Sequence, residues 1–138
     1  MRELNIAWAA GFFDGEGTVH LAPHLWRGQT LRYPRTVYRH VRVVAAQKTR
    51  EPLERLKELF GGQIHRDYNA WKWAATGYAA KLALECMLPH LTVKRARADA
   101  ALRWMRTLRH NGQPLSEEQV AERFACLKIF GERYAVAS

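Results

Sequence analysis

The sequence predicts one α+β domain spanning residues 1–138, in the order helix, strand, strand, helix, strand, strand, helices, with four strands in one antiparallel sheet. Three observations lead there. The apolar period switches back and forth between helical and alternating spacing, glycine and proline fall at the switches, and 138 residues at 48% hydrophobic content suffice for one core.

Residues 3–14, ELNIAWAAGFFD, place Leu4, Ala7, Trp8, Gly11 and Phe12 at helical spacing, and Gly15 and Gly17 mark a stop. From Thr18 the period becomes two. Val19, Leu21 and Leu25 alternate with His20, Ala22 and His24, the pattern of a strand with one buried and one wet face. Residues 26–36 carry Gly28 and Pro34 and read as a loop. A second strand over 37–45 turns Val37, Val41, Val43 and Ala45 inward and Tyr38, His40, Arg42 and Val44 outward. Residues 51–60 form a helix with Pro52 in its first turn and Gly61-Gly62 past its end. GQIHRD and AWKWAAT flank a turn at Tyr68-Asn69, with Trp71 and Trp73 on the inward parity and so expected in the core. Helices follow over 78–88 and over 93–110, the latter with Arg95, Arg97, Arg103, Arg106 and Arg109 on its polar side. Ser116 with Gln119 opens a last helix in a capping-box pattern.

Charge narrows the partners. With 22 Lys and Arg against 13 Asp and Glu, the net charge is +9, which points to a polyanion, nucleic acid first. No run approaches the roughly 20 apolar residues that span a bilayer, so no membrane partner is expected. MRELNIAWAAGFF lacks the order of a secretory signal, so a soluble intracellular protein is expected. Cys86 and Cys126 sit among apolar residues and read as reduced thiols. The arginine and alanine bias fits GC-rich coding, hence a bacterial or phage cytoplasm rather than an organelle.

The chemistry concentrates in residues 9–17, AAGFFDGEG. Small residues at 7, 9, 10 and 11 let another helix approach closely, and the acids arrive where the helix ends. With no internal repeat, the partner helix must come from a second chain, which makes a homodimer with Ala7, Trp8, Ala10, Gly11 and Asp14 at its interface. The two-fold would bring both Glu16 carboxylates to one point. Hard oxygen donors in small number suit Mg²⁺, with Mn²⁺ or Ca²⁺ able to occupy the same site. Metal ions at a phosphodiester support its hydrolysis.

This stretch resembles the LAGLIDADG motif of homing endonucleases, and the element order matches that family's αββαββα fold with its DNA-binding sheet and C-terminal helices. VAAQKT at 44–49, LFGGQI, and LPHLTVKRARA at 88–98 extend the similarity toward the single-motif, homodimeric branch. The resemblance implies a site-specific endonuclease of intron-homing type on double-stranded DNA, with Glu16 as the metal-binding acid, Gly15 giving a backbone carbonyl, and Gln47 and Lys94 organising active-site water. The sequence departs from that pattern in three ways: Glu16 replaces the commoner Asp, the motif begins at Ala9 rather than Leu, and Glu51 stands where a basic residue is usual, with Arg50 beside it. The alternative is a non-cleaving DNA- or RNA-binding protein on the same scaffold, a maturase or transcription regulator.

On this reading the outward residues His20, His24, Tyr38, His40, Arg42, Gln63, His65, Asp67 and Lys72 face the major groove, where mixed polar types read bases. Arg27, Arg32 and Arg35, with Tyr33, extend contacts at the outer ends. Strands of ~26 Å imply about 8 base pairs per sheet, so two sheets cover on the order of 16 to 20.

Overall fold

The first helix, α1 (Arg2–Glu16), runs through Gly15 and ends on Glu16, and β1 (Gly17–Ala22) begins at the next residue. In this computed structural model, which describes residues 2–23, 31–108 and 113–131, the stop expected at Gly15 and Gly17 falls at Gly17. A Cβ at Gly17 would collide with the Phe13 ring one turn back, whereas Gly15 has open space around it. Only a glycine lets the chain leave the helix so close to that ring.

Strand β1 pairs antiparallel with β2 (His40–Gln47), and β4 (Ala70–Thr76) lies between β2 and the edge strand β3 (Gln63–Asp67), giving the order β1-β2-β4-β3. The second strand starts later than its alternation suggests. Pro34 sets an extended backbone, Val37 N–H bonds back to its carbonyl at 3.1 Å, and residues 35–38 wind into a 3₁₀ turn. Tyr38 is thus not on the sheet's outer face. It packs partly against the core, which corrects its place among the groove-facing residues. From His40 onward the expected parity is observed, with Val41, Val43 and Ala45 buried.

The five α-helices among the described residues lie off the outer face of the sheet. Phe13 of α1, Leu53, Leu56 and Phe60 of α2 (Glu51–Phe60), Leu84 and Met87 of α3 (Gly77–Met87), and Trp104 of α4 (Arg95–Met105) close one core against the inward strand residues. Trp73 is fully buried, its indole N–H donating to the Gly61 carbonyl at 2.8 Å. Trp71, expected beside it, is only half-buried because β4 leaves the core at that end.

The last helix, α5 (Glu117–Phe130), opens with the reciprocal Ser116–Gln119 capping box. It is tied to α4 by Arg97, which donates to the Phe130 carbonyl at 2.8 Å, and by the Arg103–Glu122 bridge at 2.6 Å. These two arginines, read from the sequence as a solvated face, fasten helix to helix. Helix α4 ends at Met105, short of the expected 110, because the Thr107 N–H and hydroxyl both bond the Trp104 carbonyl. Arg123 is buried, donating to the Val37 carbonyl and to the Thr107 hydroxyl and carbonyl, with its guanidinium 4.9 Å from the Trp104 ring centroid. Burial pushes its pKa down to about 10, which still leaves it charged at neutral pH. Among the described residues no helix is long and apolar enough to cross a membrane.

Candidate active site and nucleic-acid interface

One end of the sheet gathers the residues that the motif singled out. Gly17 lies opposite Ala45, so Glu16 at the end of α1 and Gln47 at the end of β2 fall at the same edge. Lys94, the N-cap of α4, reaches this edge through Asp14: its Nζ donates to the Asp14 carbonyl at 2.8 Å. The Asp14 carboxylate in turn accepts from the N–H groups of Thr92 at 2.8 Å and Lys94 at 3.0 Å. Asp14 is therefore a brace between α1 and α4. Gln47 is half-buried, with Oε1 accepting from the Lys48 N–H at 3.1 Å. Glu16 is exposed.

This donor set fits a hard divalent ion in one way only. Among the described residues no three His, Cys, Asp or Glu side chains gather, and Asp14 is engaged with backbone donors. Within one copy that leaves the Glu16 carboxylate with backbone carbonyls such as that of Gly15. An ion that keeps several waters, as Mg²⁺ does, tolerates so few protein oxygens.

Helix α1 is apolar on both sides. Ile6, Ala9, Ala10 and Phe13 face the chain's own core, while Leu4, Ala7, Gly11 and Gly15 form an exposed stripe on the other side. Leu4 is 73% exposed, and a Cβ added at Gly11 or Gly15 would meet nothing within 4 Å. Of the expected interface, Ala7 and Gly11 lie on this open stripe. Trp8 flanks it, stacked on Phe12 and covered by the Arg55 guanidinium 3.7 Å from its ring centroid. Ala10 has no exposed surface and cannot meet a partner, and the Asp14 carboxylate is turned to α4, so both leave the expected interface. A small side chain does not reveal which face of a two-faced helix it occupies.

Among the described residues no helix covers the outer face of the sheet, which is polar at its margins. Register puts His20, His40, Arg42, Gln63, His65, Asp67 and Lys72 on this face. Ala74 and Thr76 on the central strand β4 are small, so the side chains of β2 and β3 wall a groove of about 530 Å³ along it. Arg42 and His40 stand on one wall, Gln63 and His65 on the other. Lys72 and Asp67 pair at 3.0 Å, so they meet a ligand as a unit rather than as separate charges. Arg32 and Arg35 are exposed beyond the end of this face, while His24 and Arg27 lie outside the described residues.

No protein-family model matches the sequence, and no curated protein sequence matches it. Solved structures do match. The homing endonuclease I-CvuI, solved with the I-CreI target and Mg, superposes with a TM-score of 0.66 over 95% of this chain and 98% of its own, at 19% identity. The archaeal intron-encoded homing endonuclease I-Vdi141I, solved with DNA, gives 0.72 over 94% and 84%, at 17% identity. The LAGLIDADG homing endonuclease I-GzeII, also solved with DNA, gives 0.67 over 90% of this chain but 43% of its own, at 14% identity.

The chain has the LAGLIDADG homing endonuclease fold. Within that fold Trp71, which the sequence places in the core, meets two arginines at the motif end of the sheet. Trp71 pairs in register with both Gln47 on β2 and Arg66 on β3. The guanidinium carbons of Arg50 and Arg66 lie 4.7 and 5.3 Å from its ring centroid. Arg66 holds an inward parity, so alternation does not flag it, whereas Arg50 stands beside Glu51, where the resemblance puts a basic residue.

Proposed function

We propose that this chain is a divalent-metal-dependent DNA endonuclease that acts as a homodimer on a long, nearly palindromic double-stranded site. What supports this reading is that the elements carrying Glu16, Gln47 and Lys94 end at the same side of a polar sheet, where a helix with a small, apolar exposed face also ends. A two-fold along the Leu4, Ala7, Gly11 and Gly15 stripe would cover that face and bring two Glu16 carboxylates together. That the chain matches under half of I-GzeII, which shares the fold, fits its acting as one half of a larger assembly.

Each protomer would lay its groove face into the major groove, with Arg42 suited to guanine and Gln63 to adenine. Glu16 and the Gly15 carbonyl would hold Mg²⁺, which when bound supplies charge neutralisation at the scissile phosphate and an acidified water. Lys94, oriented by the Asp14 brace, would place a fixed positive charge beside the phosphate, and the Gln47 amide would orient water.

Glu16→Gln tests this. The substitution removes a charged oxygen ligand but leaves the sheet intact, so cleavage should be lost while binding to a selected site persists. Cleavage within about tenfold of wild type would sink the metal assignment. Binding without cleavage by the wild type would favour the non-cleaving alternative.

A further inference from the structure

We propose that Arg123 of α5 is a positioning residue for DNA recognition at the outer part of each half-site, because it holds the turn that leads into β2. The inference rests on the endonuclease reading and gives the C-terminal helices a part in it. Arg123 is buried, and among the described residues no carboxylate pairs with it. A buried cation that only joined two helices could be replaced at little cost by an apolar side chain packed on Trp104. Its fork does what such a side chain cannot. One terminal nitrogen donates to the Val37 carbonyl in the 3₁₀ turn, and the other to the Thr107 carbonyl past the end of α4, at 3.3 Å. Nε adds a bond to the Thr107 hydroxyl at 2.6 Å, so one planar group fixes both the distance and the angle between the two segments.

A second latch lies two residues on. Trp104, whose ring carries the Arg123 guanidinium, donates its indole N–H to the Arg39 carbonyl at 3.0 Å, and Arg39 Nη1 reaches the Leu21 carbonyl on β1 at 3.4 Å. The carbonyls of residues 37 and 39 are thus both held from the helical side, and His40, the first residue of β2, follows directly. Arg35 stands exposed on the same turn. In the strand register Arg42 is held on both sides, by His20 of β1 and Thr76 of β4, whereas His40 has its register partner on the β1 side, Ala22. The placement of His40 therefore leans on the turn before it. Gln47 closes β2 at the edge that carries Glu16, so His40 lies roughly 23 Å farther out along the strand, or about 7 base pairs. What Arg123 holds is the outer end of the reading face.

The test is metal-free binding of wild type, Arg123→Met and Arg123→Lys to a site that the wild type selects from randomised DNA, and to a panel of its single-base variants. Arg103→Met, which breaks the Arg103–Glu122 bridge between the same two helices, is the structural control. Substitutions at the outer base pairs should weaken wild-type and Arg103→Met binding about fivefold or more and Arg123→Met binding under about twofold. Substitutions opposite Arg42 should keep their wild-type penalty in every variant. A mere helix joint would leave the profile of penalties unchanged in Arg123→Met, as in Arg103→Met, and that result overturns the assignment. Equal weakening of every site, the effect of a lost charge, overturns it too. Arg123→Lys keeps the charge but not the fork, so it should also lose outer discrimination; wild-type outer penalties in that variant, the comparison that stands where Arg123→Met does not fold, overturn the proposal. A wild type that selects no site defeats DNA recognition itself and the proposal with it, and that failure shows before any variant is compared. Without metal the outcome is independent of cleavage, which the Glu16 experiment reads separately.

Discussion

Replacing Gly11 by leucine should strengthen the folded chain while breaking its self-association. Gly11 is on the exposed side of α1, and an added Cβ meets nothing within 4 Å, so the monomer has no clash to relieve. Its backbone φ is not positive, so an L side chain fits without strain. In a helix interior leucine is better than glycine by about 0.8 kcal/mol, and the monomer should gain roughly that amount. Association should respond in the opposite sense. Helices meeting through glycine and alanine lie at the short end of the roughly 8 to 10 Å range of interaxial distance, and a leucine at the crossing forces them apart. Overpacking costs about 1 to 3 kcal/mol per inserted side chain and is entered twice by the two-fold, so association should weaken by at least about thirtyfold. Sedimentation across a micromolar concentration series reads the assembly, and urea unfolding at the lowest concentration reads the monomer. An unaltered dimer would show that α1 is not the interface. A less stable monomer would show that Gly11 is packed inside the chain.

Three further expectations follow from the geometry. Asp14→Ala deletes a carboxylate that accepts from two N–H groups; it should cost about 2 kcal/mol by denaturant unfolding and lower cleavage by loosening the backbone at Thr92 and Lys94, and a loss below about 0.5 kcal/mol would contradict the brace. Arg42→Ala should cost about 1 to 3 kcal/mol at one base pair per half-site, whereas Arg35→Ala should weaken all sequences alike; equal weakening of every site by Arg42→Ala would refute strand-in-groove readout. The hydrogen bond from Arg103 holds the Glu122 carboxyl below its ordinary value, so its stabilising contribution is present at neutral pH and is lost as pH falls through that lowered value. The stability gap between wild type and Glu122→Gln should accordingly be widest near pH 7 and shrink in acid, and a gap that does not change with pH would remove the bridge from the α4–α5 joint.

The sequence by itself determined the element order, the parity of most strand residues and the place of the motif. These depend on local periodicity and on glycine and proline, whose backbone limits act within a few residues: Pro52 and Gly61 bound α2, and Ser116 with Gln119 opens α5. Tertiary structure decided what periodicity cannot carry. Helix α1 has two apolar faces of similar composition, and only packing against the sheet shows that Ala10 belongs inside while Gly11 is open. Tyr38 keeps an outward parity by counting, yet the Pro34 carbonyl draws residues 35–38 out of the sheet. Asp14 and Lys94 are 80 residues apart, and no local pattern says that one braces the other. The same holds for Arg50 and Arg66: each meets the Trp71 ring only because the register of β2, β4 and β3 puts Trp71 between Gln47 and Arg66, and a strand's register is set by the long-range burial of one sheet face rather than by such contacts.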